Sequence, residues 1–136
     1  MLLRKFLTQE ECIQILATIG QSYRVQNRWC CENFMLPDTV KQKLKDTLKD
    51  RPSYSIQIYN KEDSFEPHID FTGTKHRTQS MTVVLNNGFK GGKFFCDSKK
   101  YDLQAGDAII FGVTDLHWVT PVTDGRRYSL AVWGVK

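Results

Sequence analysis

Leu116-His-Trp-Val-Thr-Pro-Val-Thr-Asp-Gly-Arg-Arg-Tyr-Ser-Leu-Ala-Val-Trp133 is the stretch on which the fold turns. Runs rich in β-branched and aromatic residues flank Asp124-Gly125, a turn pair. The segment therefore predicts two strands, His117–Val122 and Arg127–Val135. Successive residues of a strand face opposite ways. Arg126 and Arg127 thus cannot both turn inward, and Ser129, Ala131 and Trp133 share the face of Arg127. An antiparallel pairing across the glycine turn would bring Arg127 back beside His117. An arginine there can pair bidentately with the distal carboxylate of a dicarboxylate; the alternative is a surface arginine.

Upstream of this stretch the same β-rich pattern recurs at Ser53–Tyr59, Phe65–Phe71, Gln79–Leu85, Lys93–Cys96 and Ala108–Phe111. Turn signals separate the runs at Asn86-Asn87-Gly88, Gly91-Gly92 and Ala105-Gly106-Asp107. Many short strands with frequent turns predict a β-sandwich or barrel. The front of the chain reads differently. Thr8-Gln-Glu-Glu11 has the capping-box pattern, and Cys12, Ile15, Leu16 and Ile19 follow at helical spacing until Gly20. A second helix is predicted from about Pro37 to Asp50, with Val40, Leu44 and Leu48 as its stripe and Pro52 barring continuation. The expectation is one mainly β domain over 1–136, with flanking helices: helical support in 1–52 and a β-barrel core in 53–136.

At 136 residues the chain can bury a core without staples, and its 40% hydrophobic and 12% aromatic content argues against disorder. The net charge of +4 is not diagnostic. The basic residues between Lys41 and Lys75 are interleaved with acids and read as a solvated face rather than a polyanion patch. Cys12, Cys30, Cys31 and Cys96 form no Cys-x-x-Cys pair, which removes support for a zinc ribbon and favours reduced thiols. No run approaches the ~20 apolar residues of a membrane helix, and the N-terminus lacks a signal-peptide pattern. A soluble cytoplasmic protein is expected.

The histidines are His68, His76 and His117. In Phe65-Glu-Pro-His-Ile-Asp-Phe71, strand alternation would place His68 and Asp70 on one face and Ile69 on the other. A His-x-Asp pair with one distant histidine supplies a two-His, one-carboxylate triad, which leaves positions open on Fe(II). By itself His-x-Asp is equally a polar surface or core pair.

Over nearly its whole length the chain resembles the prolyl 4-hydroxylase-like group of Fe(II)- and 2-oxoglutarate-dependent oxygenases. The resemblance rests on Phe6-Leu-Thr-Gln-Glu-Glu-Cys12, Tyr59 nine residues before His68, and Val83-Val-Leu-Asn86 followed by Gly91-Gly92. It continues through Ala105-Gly-Asp-Ala-Ile-Ile-Phe111 and His117…Pro121-Val122…Gly125…Arg127-Tyr128…Trp133. It implies a double-stranded β-helix, a jelly-roll or cupin-like barrel supported by the two N-terminal helices. It implies iron at His68, Asp70 and His117, and 2-oxoglutarate held by Arg127 with Tyr59 lining its pocket. Trp133, Arg77 and Val84 are further pocket or substrate candidates, Trp133 as a packing wall. Departures from the family pattern are Val84 and Ala131, where some relatives carry hydroxyls, and Glu62, where glycine is usual.

The resemblance implies a dioxygenase that couples decarboxylation of 2-oxoglutarate to succinate with hydroxylation of an unactivated C–H bond, with ascorbate as a reductant. The expected substrate is a prolyl residue of a peptide or protein, selected by the Asp70–Arg77 loop and the Trp29–Phe34 segment. A monomer without membrane or nucleic-acid partners is expected. Rival readings are the same chemistry on a free amino acid or nucleic acid, a non-catalytic barrel, and a metal cupin without 2-oxoglutarate.

Overall fold

The computed structural model describes residues 1–136. Along the chain the first elements are β1 (Leu2–Leu3), α1 (Gln9–Leu16), β2 (Tyr23–Val25), β3 (Arg28–Cys31) and α2 (Asp38–Thr47). The longer strands begin with β4 (Arg51–Tyr59), β5 (Phe65–His68) and β6 (Arg77–Val84). Then come β7 (Lys90–Gly91), β8 (Phe94–Cys96), β9 (Lys99–Tyr101) and β10 (Ala108–Phe111). The chain ends with β11 (His117–Val119), β12 (Val122–Asp124) and β13 (Arg127–Val135).

Every strand pair is antiparallel. A major sheet runs β1-β10-β6-β13-β4-β3-β2, a minor sheet runs β5-β11-β8-β9, and β12 pairs with β7. The two faces of the major sheet differ as period-two alternation requires. Ile56, Ile58, Met81, Val83, Leu130 and Val132 pack with Leu7, Cys12, Ile15, Val40, Leu44 and Leu48 from the helical layer. Each such buried aliphatic side chain contributes about 1.5–3 kcal/mol by leaving water. The opposite face carries Arg127, Ser129, Ala131 and Trp133, and all but Arg127 line a cavity.

The capping box forms as read: Thr8 Oγ1 accepts from Glu11 N, and the Glu11 carboxylate accepts from Thr8 N. Helix α1 stops at Leu16, before Ile19. Helix α2 ends at Thr47, and Leu48, already extended at ψ 141°, still reaches the core. The front is not purely helical. Residues 1–52 also hold β1, the β2–β3 hairpin and the start of β4. The hairpin was illegible because its three- and four-residue strands are too short to show a period. Pro52 lies inside β4, opposite Gly134, where β3 no longer flanks the strand and no ladder hydrogen bond is lost on that side. The run His117–Val122 is broken in two: Pro121 has no N–H to continue the ladder, and β12 leaves the minor sheet for β7. No helix is long and apolar enough to cross a membrane.

Candidate metal and cosubstrate site

His68 ends β5 and His117 begins β11, and the two are register partners, so the minor sheet sets their rings side by side with centroids 4.1 Å apart. Each Nδ1 contacts a backbone carbonyl, His68 that of Glu66 at 2.6 Å and His117 that of Asp115 at 2.9 Å. A carbonyl can only accept, so both Nδ1 atoms carry the proton, and in the neutral rings the Nε2 lone pairs are free. Burial pushes the His68 imidazolium pKa down, favouring that neutral form.

Asp70 lies beyond the end of β5, so strand alternation does not place it. Its backbone N–H and that of Phe71 both donate to Val113 O at 2.9 Å, and this loop clamp turns the side chain inward. Asp70 Oδ1 stands 3.2 Å from His117 Nε2 and 3.5 Å from His68 Nε2. The other oxygen is occupied: Oδ2 accepts from Ser80 Oγ at 2.7 Å and Trp133 Nε1 at 3.0 Å. Ser80 and Trp133 are register partners on β6 and β13, so the major sheet presents both donors together. Burial alone would raise the Asp70 carboxyl, but the neighbouring His117 and the Ser80 and Trp133 donors lower it below the ordinary carboxylate range, so it is ionised. One ligand atom from each of His68, Asp70 and His117 lies within 4.8 Å of the others. Two free imidazole lone pairs and one undivided carboxylate oxygen, each backed by an outer hydrogen bond, are a donor set that fits Fe(II). Cys96, Asp97 and Asp115 also cluster, but burial pushes the Cys96 thiol up to about 11, away from the thiolate a metal requires.

Arg127 does not return beside His117 on a hairpin. It starts β13 in the major sheet, opposite Tyr59 of β4, while His117 belongs to the minor sheet. Arg127 is 1% exposed, its guanidinium carbon lies 5.1 Å from the Tyr59 ring centre, and Nη1 donates to Ser129 Oγ at 3.2 Å. Nε has no partner, and no carboxylate comes within ion-pair distance. A buried guanidinium without a counter-ion is costly, so the site as it stands fits an anionic ligand. Tyr59 is buried, and its phenol is pushed up to about 12, so it stays a neutral donor. Gly92 makes room here: a Cβ at that position would come 2.9 Å from Arg127 Cδ.

Tyr59, Ser129 and the three clustered residues line one cavity of about 500 Å³. Arg77 lines it too, laid over the Trp133 ring at 3.9 Å. Val84 is buried on the same strand face as Ser80 and Thr82, one position beyond the cavity lining. His76 is exposed in the preceding loop. Glu62, at the position where glycine is usual, adopts φ +77°, the conformation that favours glycine. The reading of Trp133 as a wall missed its indole N–H, and Ser80 was not singled out. Ser80 is 0% exposed, but β6 also carries Arg77, Thr78, Gln79 and Thr82, so the sequence gives no signal that sets Ser80 apart.

A profile of the 2OG-Fe(II) oxygenase superfamily matches residues 54–134, from β4 to β13. A PKHD-type hydroxylase of Saccharophagus degradans is 37% identical over 84 residues, which cover 52% of this chain and 37% of that protein. The chain spans about two fifths of the length of the curated relatives it matches. Among solved structures, the viral collagen prolyl hydroxylase vCPH of Paramecium Bursaria Chlorella virus-1, in its 2OG complex, superimposes with a TM-score of 0.78. It is 19% identical and aligns over 100% of this chain and 96% of that one. A Pseudomonas putida prolyl-4-hydroxylase gives a TM-score of 0.74 at 18% identity, over 100% and 91% of the two chains. These two likenesses establish a common fold. The profile match makes the chain a member of the 2OG-Fe(II) oxygenase superfamily.

Proposed function

We propose that the chain is an Fe(II)- and 2-oxoglutarate-dependent dioxygenase that hydroxylates an unactivated C–H bond, with a prolyl residue of a peptide or protein as substrate. The facing sheets form its double-stranded β-helix, which α1 and α2 support from outside. His68 and His117 would hold iron through Nε2, and Asp70 would hold it through Oδ1. Bound iron supplies the oxidative chemistry, coupling 2-oxoglutarate decarboxylation to transfer of one oxygen atom from dioxygen to carbon. Arg127 receives the far carboxylate of 2-oxoglutarate with Tyr59 beside it, and that carboxylate is the counter-ion the guanidinium otherwise lacks. Ser80 and Trp133 keep Asp70 from turning its second oxygen to the metal. Phe94, Phe111 and Val119 give the cavity an apolar wall.

The observation that carries this reading is one cavity flanked by a two-imidazole, one-carboxylate cluster and a buried arginine without a counter-ion. The prolyl substrate is favoured by the like fold of the viral collagen prolyl hydroxylase and the Pseudomonas putida prolyl-4-hydroxylase. The test is succinate release and a gain of one oxygen in proline-containing peptides, read by mass spectrometry with Fe(II), 2-oxoglutarate and ascorbate present. His68→Ala and Asp70→Ala are expected to abolish both. Metal-dependent succinate formation that survives in both variants refutes the assignment.

A further inference from the structure

Two arginines, Arg28 and Arg77, line the cavity, and neither has a carboxylate within ion-pair distance. Arg28, the first residue of β3, lies 3.5 Å above the Phe65 ring, and Phe65 stacks on His68 at 3.7 Å and 11°. Its Nε donates to Gln57 Oε1 at 2.7 Å and its Nη1 to Val25 O at 3.3 Å. Arg77 lies 3.9 Å above Trp133, and the sole hydrogen bond of its guanidinium is a 3.4 Å contact from Nη1 to Asp70 O. One guanidinium thus flanks the cluster on the His68 side and the other on the Asp70 side. Both guanidinium carbons sit directly over aromatic rings, with donor nitrogens left unengaged.

The cavity's charges do not balance. Arg28, Lys75 and Arg77 line it against Asp70 and Glu32. Glu32 is already engaged, accepting from Tyr23 Oη and from Ser55 Oγ at 2.7 Å. Fe(II) and the 2-oxoglutarate dianion cancel each other, so loading the centre leaves the excess of cations in place. A guanidinium stacked on an aromatic ring is partly desolvated and its orientation is already set, which suits it to the planar geometry of a carboxylate.

We propose that Arg28 and Arg77 select a substrate that carries a carboxylate close to the oxidised carbon. This rests on the oxygenase reading above and deepens it to a substrate class. The carboxylate has two sources: an acidic residue flanking the target in a peptide, or the α-carboxylate of a C-terminal or free amino acid.

The test compares four ligands on the Fe(II)- and 2-oxoglutarate-loaded protein. They are an end-blocked peptide with Asp beside proline, the same peptide with Asn, the Asn peptide with a free C-terminal carboxylate, and free proline. Oxygen gain is read by mass spectrometry, and binding to the same loaded protein by calorimetry without dioxygen. A charge-assisted pair predicts a preference of about tenfold or more for Asp over Asn, or for the free over the blocked terminus. The preference falls as salt is raised. Arg28→Gln and Arg77→Gln each reduce it, and the Arg28→Glu, Arg77→Glu double variant inverts it toward a Lys-flanked peptide. Lys99→Gln, remote from the cavity, leaves it intact and controls for net charge. Equal handling of all carboxylate and neutral partners by the wild type, or a preference unchanged in both Gln variants, overturns the proposal. Succinate released by the wild type without any prime substrate reports on the oxygenase centre alone, so loss of that signal marks failure of the oxygenase reading instead.

Discussion

Replacing Trp133 by Phe removes a single donor from the site while keeping a ring beneath Arg77. The indole N–H donates to Asp70 Oδ2 at 3.0 Å, and Ser80 supplies the other donor at 2.7 Å. A hydrogen bond to an ionised acceptor contributes about 1.5–3 kcal/mol. Its loss lets the carboxylate rotate, so Oδ1 no longer points with certainty at the two Nε2 atoms. Outer partners of this kind change metal affinity by about 10–100-fold, and that is the loss expected for Trp133→Phe. Ser80→Ala should act in the same direction, and because both donors serve one oxygen the double variant should depart from additivity. Anaerobic calorimetric titration of the metal-free protein with Fe(II) measures the effect, and urea unfolding checks that the variants remain folded. Trp118→Phe is the control: Trp118 stacks on Phe95 at 5.1 Å and 4°, on the face of β11 opposite His117. A folded Trp133→Phe that binds iron as tightly as Trp118→Phe refutes the idea that the indole orients Asp70.

Arg127→Gln should raise the 2-oxoglutarate KM by about 100-fold, the equivalent of one strong charge-assisted pair, with little change in iron affinity; steady-state succinate formation and metal titration check the two parts. Gly92→Ala should weaken 2-oxoglutarate binding, because the added Cβ would stand 2.9 Å from Arg127 Cδ. Gly88→Ala is its control, since Gly88 also has positive φ (+88°) but nothing within 4 Å, so it carries only the backbone cost of about 1–2 kcal/mol. Equal loss of 2-oxoglutarate affinity in both variants would show that strain, not Arg127, is responsible. Acid sensitivity should trace to Glu11: burial raises its carboxyl, but Lys43, Thr39 and Thr8 outweigh that and hold it at about 2, against an ordinary 4.5. Depression of the folded pKa means the stability is fully present above pH ~4.5 and is lost as pH falls toward 2. Linkage alone gives about 3 kcal/mol, and solvent at Lys43, whose side chain is 36% exposed, reduces it to about 1–2 kcal/mol. Urea midpoints should show Glu11→Gln less stable than wild type at pH 6 and equal to it near pH 2.

Local patterns were readable without coordinates. The capping box at Thr8–Glu11, the bounds of β13 and the shared face of Arg127, Ser129, Ala131 and Trp133 follow from alternation and side-chain chemistry within a few residues. The choice of Arg127 over Arg126 as the buried one of the pair follows less directly: alternation says that only one is inward, and the resemblance says which. Long-range pairing was decided by the tertiary structure. His117 meets His68 because β11 pairs with β5, and Asp70 reaches them through a loop bonded to Val113. Ser80 and Trp133 converge on one carboxylate oxygen because β6 and β13 share a register. The stack of Arg28, Phe65 and His68 needs a hairpin too short to announce itself. A period of two residues states which way a side chain faces but not which distant strand lies beside it. That partner is chosen by loop closure and by the packing of both sheets at once.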